Sequence, residues 1–343
     1  MIAAGADRGG DPARWARGGT PGPRETLAEA SRQREEGKGG AMTEISVVIC
    51  AQNARERLRF CLESLKQALP LSSEVIVVDG GSTDGSQRML VESFEHVRLV
   101  RNDASTGPAA ATNQAVGMAR GAYILLLDPR IQLYPGAVTE MVDWLEKNLR
   151  HGAVVPRLLR PNGATIAAHV RLPTLTTALW LGTPLERWRP KSRELAHAFA
   201  CDFDYVRDGD VEQTSAACFL MRRKALKRSH TLDASLWPHF HEADLCARVR
   251  ESGWRIGYVS RILALDVDAI GEHAYPDLSP AWHAQRLAWY RIHLGQAAGA
   301  FVKACVGWTL ADRLTRELRR RVNGIRKEPI LPVWREYAGV LRG

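Results

Sequence analysis

No run of about 18 uninterrupted apolar residues occurs in the 343-residue chain, and its most apolar C-terminal stretch is broken by Lys303. A bilayer-spanning helix is therefore not expected. Cysteine is sparse: Cys50, Cys61, Cys201, Cys218, Cys246 and Cys305 are widely spaced, without a CxxC pair. That excludes the dense disulfide framework of a small secreted domain and reads as reduced thiols in a cytosol. The N-terminus has no apolar h-region, which argues against a signal peptide. Acidic residues are scarce after about residue 276. There Arg286, Arg291, Lys303, Arg313, Arg316, Arg319, Arg320, Arg321, Arg326 and Lys327 account for most of the formal charge of +9.

What is present fits an ordinary globular protein, with 45% hydrophobic and 25% charged residues. Residues 1–41 (RGGDPARWARGGTPGPRE and its surroundings) have no apolar period and read as a disordered extension. Met42 stands directly before the first strand pattern, so a translation start there is an equal alternative. Ile45 to Cys50 (ISVVIC) is a β-branched run followed by Leu58, Cys61, Leu62 and Leu65 at helical spacing. EVIVV at 74–78 gives a second buried strand, ended by DGGSTDGS, where Ser82, Asp84 and Ser86 offer a helix cap. Val97 to Val100, a helix over 109–120 and YILLL at 123–127 complete the pattern.

Strands that alternate with helices and lack surface alternation predict an α/β fold, a Rossmann-like parallel sheet covered on both faces. Ligands bind beyond the carboxyl ends of such strands, so 51–53, 79–82 and 128–130 should meet in one crevice. A nicotinamide site would need GxGxxG after the first strand; CAQNARE there has no glycine.

ISVVICAQN, EVIVVDGGSTDGS, RNDASTGPAAATNQAV, GAYILLLDPR, VVPRLLRPNG, TSAACFLMRRKAL and HEADLCARVRESGWRIGYV stand in this order along the chain. Together they resemble the motifs of bacterial family 2 glycosyltransferases of the rhamnosyltransferase-like branch, over about residues 44–295. The resemblance implies a GT-A fold within 42–275. Residues 42–130 would form the nucleotide-sugar half and 131–275 the acceptor half, ahead of a basic helical tail, 276–343. It also implies a nucleoside-diphosphate-sugar donor, a glycan or lipid-linked acceptor and inversion.

Carried over residue by residue, Asp79 matches the acid that bonds the base or ribose; a capping acid is the plain alternative. Ala51, Asn53, Gly81 and Asn113 match nucleotide-facing positions, although Asn53 is also an ordinary turn residue and Asn113 equally a packing residue. The family's fourth strand runs into a DxD-like element whose last Asp holds a divalent ion, Mg2+ or Mn2+. Here the residues are Asp128, Pro129 and Arg130. Asp266, with Asp268 and His273 beyond it, stands where the family often has a metal-binding His. Either Asp128 and Asp266 still hold an ion, or Arg130 pairs the diphosphate directly with its guanidinium fork, or catalysis has been lost.

In the register fixed by DLC and SGW, Glu242 matches the catalytic base, with a helix-start acid as the alternative. His241 precedes it where another acid is usual. Asp244 reads as a cap or as a partner for Arg248 at i+4. Trp180 and Trp188, in a variable helical insertion over 175–189, either line an acceptor groove or, the commoner use, pack a satellite core. Trp282, Leu287, Trp289, Tyr290, Leu294 and Ala298 fit amphipathic helices whose Trp and Arg residues resemble interfacial anchors. This leaves two expectations open: a cytoplasmic enzyme that touches the inner face of the membrane, or a solvated helical face. No nucleic-acid recognition module accompanies the basic stretch.

Overall fold

The computed structural model describes residues 44–70, 72–226, 232–268, 278–322 and 340. Residues 1–41, Met42 and His273 lie outside them.

Strand β1 (Ile45–Ala51) leads through α1 (Arg55–Ala68) to β2 (Ser73–Asp79), α2 (Ser86–Ser93), β3 (Val97–Arg101), α3 (Pro108–Met118) and β4 (Tyr123–Leu127). These four strands are parallel neighbours in the order β3-β2-β1-β4. Their side chains are buried on both faces. Ile45, Val47 and Ile49 join one core with Leu58, Leu62 and Leu65 of α1, whereas Val48, Ile76 and Val78 join the opposite core with Ala111 and Ala115 of α3. Two-sided burial is the reason these strands read as continuous apolar runs.

The second half departs from parallel pairing. β5 (Ile131–Leu133), α4 (Ala137–Lys147), β6 (His151–Leu159) and β7 (His169–Val170) come before the helical insertion α5 (Leu175–Trp180), α6 (Pro184–Trp188) and α7 (Arg193–Ala198). Then follow β8 (Gly209–Val211), β9 (Gln213–Thr214), β10 (Cys218–Arg222), α8 (His241–Glu251) and β11 (Arg255–Asp266). The main sheet continues β4-β10-β6-β11-β5, with β10 antiparallel to both neighbours and β8 and β5 antiparallel to β11. The sheet is thus mixed and mostly parallel, flanked by helices.

The final helix, α9 (Pro280–Val322), is broken at Gly295 (φ 84°). Its Trp282, Leu287, Trp289 and Tyr290 are buried with Leu236, Phe240, Ala243 and Ala247 in a third core. The tail therefore packs against α8, within the single unit Thr43–Gly343. This corrects the interfacial-anchor reading for Trp282 and Trp289, because an apolar seam at helical spacing serves a protein neighbour as well as a lipid. Leu294, read as part of that seam, is exposed. Trp188 is also corrected: it is 60% exposed and meets Trp308 edge-on at 5.9 Å rather than filling a core. Among the described residues, no helix is long and apolar enough to cross a membrane.

Candidate active site

The loops after β1 and β2 are stitched together by their own polar groups. The Ala51 carbonyl accepts from Gly80 N at 2.9 Å, and Asn53 Oδ1 accepts from Thr83 N at 2.9 Å. Asn53 N donates to Ser82 Oγ at 2.9 Å, and Arg55 N donates to Asp84 Oδ2 at 2.9 Å. Asn53 adopts φ 48°, a conformation that Asn tolerates better than most residues.

Asp79 lies inside this knot. Its Oδ1 accepts from Gly81 N at 3.1 Å, Ser82 N at 2.9 Å and Gln87 Nε2 at 2.6 Å. Oδ2 is buried without a hydrogen-bond partner. The expectation that Asp79 opens into the crevice is corrected, since unpaired N–H groups of the turn draw the carboxylate inward. Gly81 is required there: its φ is +78°, and an added Cβ would stand 2.9 Å from the Asp103 carbonyl oxygen. Asn113 is committed elsewhere, donating to Leu232 O at 2.7 Å and accepting from Leu232 N at 2.9 Å. It straps α3 to the segment ahead of α8.

Next to this knot, a cavity of about 450 Å3 gathers Cys50, Thr112, Asp128, Arg130, Ser215 and Glu242. Asp79, Asn53, Gly81 and Asn113 are not among its lining residues. The cavity thus combines the end of β4 with the loop before β10 and the start of α8. Cys50 Sγ lies 3.3 Å from Thr112 Oγ1, and burial pushes this thiol up to about 11, so it stays protonated.

Strand register explains the charge arrangement. β5 runs antiparallel to β11 with Ile131 opposite Asp266, which brings Arg130 beside that carboxylate. Arg130 Nη1 donates to Asp128 Oδ2 at 2.7 Å and Nε donates to Asp266 Oδ2 at 3.2 Å. The Arg130 backbone N also donates to Asp128 Oδ1 at 3.0 Å. Burial raises the Asp128 carboxyl above the usual carboxylate range, opposed by Arg130. The two acids expected to bracket Mg2+ or Mn2+ therefore bracket a guanidinium, whose charge repels a cation and whose N–H groups occupy their oxygens. These residues do not fit a divalent ion. Among the described residues, no group of three or more His, Cys, Asp or Glu side chains is arranged to hold one.

Glu242 is the second residue of α8, where the helix dipole favours a carboxylate. Its Oε1 accepts from Ala216 N at 2.7 Å and from Ser215 Oγ at 3.1 Å. His241 is buried against Trp237, at 4.3 Å between ring centroids, and that burial lowers its pKa below the ordinary imidazole value. It is not solvent-facing, and it is neutral at pH 7. Asp244 pairs with Arg248 at 2.6 Å, as its i+4 spacing predicts, and with His293 of α9 at 3.0 Å.

Sequence reasoning missed Ser215, the Ala216 N–H, Gln87 and His293. TSAAC was legible as an acceptor-side loop, but nothing local signals that it orients a carboxylate 27 residues later. His293 sits on an amphipathic helix among other basic residues and carries no motif.

A family model described as "Glycosyl transferase family 2" matches residues 46–229, more than half of the chain. The chain belongs to glycosyltransferase family 2. This glycosyltransferase is 25% identical over 299 residues to "N-acetylglucosaminyl-diphospho-decaprenol L-rhamnosyltransferase" of Mycobacterium tuberculosis, covering 80% of this chain and 91% of that protein. A shorter match, 35% identical over 107 residues, joins it to chondroitin synthase of Escherichia coli, covering 31% of this chain and 16% of that one. In fold it resembles S. aureus TarS 1-349 solved in complex with UDP-GlcNAc, at TM-score 0.53 and 16% identity, over 87% of this chain and 79% of that one. Against the longer TarS structure the TM-score is 0.51 at 16% identity, over 85% of this chain, which spans 47% of that one. The fold is therefore of the GT-A kind.

Proposed function

We propose that this glycosyltransferase moves a deoxyhexose such as rhamnose from a nucleoside diphosphate to a lipid-linked glycan, with inversion and without a divalent ion. The observation that carries the reading is the meeting of Glu242 and Arg130 in one cavity at the carboxyl end of β4. Ser215 Oγ and Ala216 N both donate to Glu242 Oε1, which leaves Oε2 free of these two contacts. Glu242 takes the proton of an acceptor hydroxyl while that oxygen attacks the anomeric carbon and the bond from that carbon to the diphosphate oxygen breaks. Arg130, anchored by Asp128 and Asp266, supplies fixed positive charge toward the departing diphosphate. The mycobacterial relative, whose name specifies a lipid-diphosphate acceptor and rhamnosyl transfer, supports the choice of acceptor and sugar.

Glu242→Gln should lower turnover by about 10²–10⁴ with donor affinity unchanged, measured by transfer assays beside nucleotide titration. Loss of affinity together with turnover would make Glu242 a structural acid, and full activity would remove it as the base. A second reading, a sugar-nucleotide binder without turnover, is favoured by one feature: Arg130 already neutralises the acids of the expected metal site. Nucleotide binding without transfer across a panel of donors and acceptors would select it.

A further inference from the structure

A second cavity, of about 790 Å3, lies behind the first. Phe199 lines both cavities. Leu181 and Trp282 face the catalytic side of the partition, while Gly182 and Leu278 face the other. The wall is one layer of side chains: a Cβ at Gly182 (φ +76°) would come within 3.1 Å of Leu278 and 3.2 Å of Trp282.

The floor of the second cavity is apolar, formed by Pro184, Leu195, Phe199 and Leu278. Its rim is lined by Arg187, Lys191, Arg313 and Arg316 beside Glu186 and Asp312. Asp312 is shared by Arg187 at 2.7 Å and Arg316 at 2.9 Å, so two cations lean on one acid. An apolar recess under an excess of positive charge fits a ligand with a hydrocarbon body and an anionic head. The volume is in the range, about 300–1,000 Å3, of sites that enclose a small ligand.

We propose that this second cavity receives the first isoprene units of the acceptor lipid, with the rim cations on its diphosphate, so that the attached sugar reaches Glu242 past Phe199. The proposal rests on the lipid-linked acceptor put forward above. It adds a place for the chain, formed between the α5–α7 insertion and the second part of α9.

The test is calorimetric titration of the full chain with farnesyl diphosphate while UDP, dTDP or GDP is held at saturation. Farnesyl diphosphate should still bind. Ala196→Trp, built from an exposed position of α7 into the cavity, should weaken it about tenfold or more, and so should Lys191→Glu at the rim, with nucleotide affinity unchanged in both. Displacement of farnesyl diphosphate by a nucleotide, or unchanged affinity in both variants, overturns the subsite. Equal competition by phosphatidylglycerol vesicles would mark a headgroup surface instead and overturn it as well. If no nucleoside diphosphate binds but farnesyl diphosphate does, the donor reading fails and the subsite stands.

Discussion

The loops after β1 and β2 and the cavity at the end of β4 place their polar residues in opposite ways. In the first, Asp79, Asn53 and Asp84 bond to backbone groups of neighbouring turns and turn away from the cavity. In the second, Glu242 and Arg130 face the cavity and are held by residues far along the chain, 26 and 136 positions away. Polar side chains are thus used in two ways: to shape a loop or to present charge. Burial and partner count, more than motif membership, tell the two apart.

The contrast can be broken by substitution. After the loss of turnover expected for Glu242→Gln, the largest effect should come from Arg130→Met. If Arg130 presents charge to the diphosphate, donor affinity falls by about 1.5–3 kcal/mol, the range for hydrogen bonds to charged groups. Wild-type donor binding should persist in EDTA. Titration of both proteins with and without chelator checks this, and strict dependence on a divalent ion would refute it.

Asp79→Ala probes the other use of an acid. Three part-buried donors lose their acceptor, so urea unfolding should report a loss of about 1–3 kcal/mol. Asn53→Ala, at an exposed site, should cost less. Equal stability in wild type and Asp79→Ala, with nucleotide affinity abolished, would restore direct ligand contact and erase the contrast.

The smallest expected effect is a pH dependence between the halves of the third core. Burial alone would depress His293, but hydrogen bonds to Asp244 and Glu251 hold its pKa above the ordinary value. A raised folded pKa means that the stabilisation is complete below the unfolded value, about 6.5, and is lost as pH rises through the folded one. Asp244 is opposite in sign: burial raises it, but His293 and Arg248 outweigh that and lower it, so its contribution is lost only as pH falls into the acid range. Melting temperature should therefore decline above neutrality, and His293→Gln should flatten that slope. An unchanged slope would assign it to other groups.

The first four strands and three helices could be read from the sequence because each is local, with apolar runs bounded by turn residues. The Asp244–Arg248 pair was legible as an i+4 contact, while Asp128, Arg130 and Glu242 became candidates through the family resemblance. What could not be read depended on distant pairing. The seating of Arg130 against Asp266 follows from the β5–β11 register, and the orientation of Glu242 follows from a loop before β10. Tail burial was hidden for a different reason. An apolar helix face has the same period whether it meets lipid or another helix, and only its packing on Ala243 and Ala247 of α8 decides which.

Helix α8 lies between two layers, with Leu245, Cys246 and Val249 on the sheet and Ala243 and Ala247 against α9. In hydrogen-exchange terms, a helix covered on both sides belongs to the last cooperative unit to open. The proposed base is therefore mounted on a helix packed on two sides. The α5–α7 insertion, by contrast, is made of helices of five or six residues with exposed flanks. Under the proposed function, substitutions that alter acceptor choice can accumulate in that insertion without moving the carboxylate.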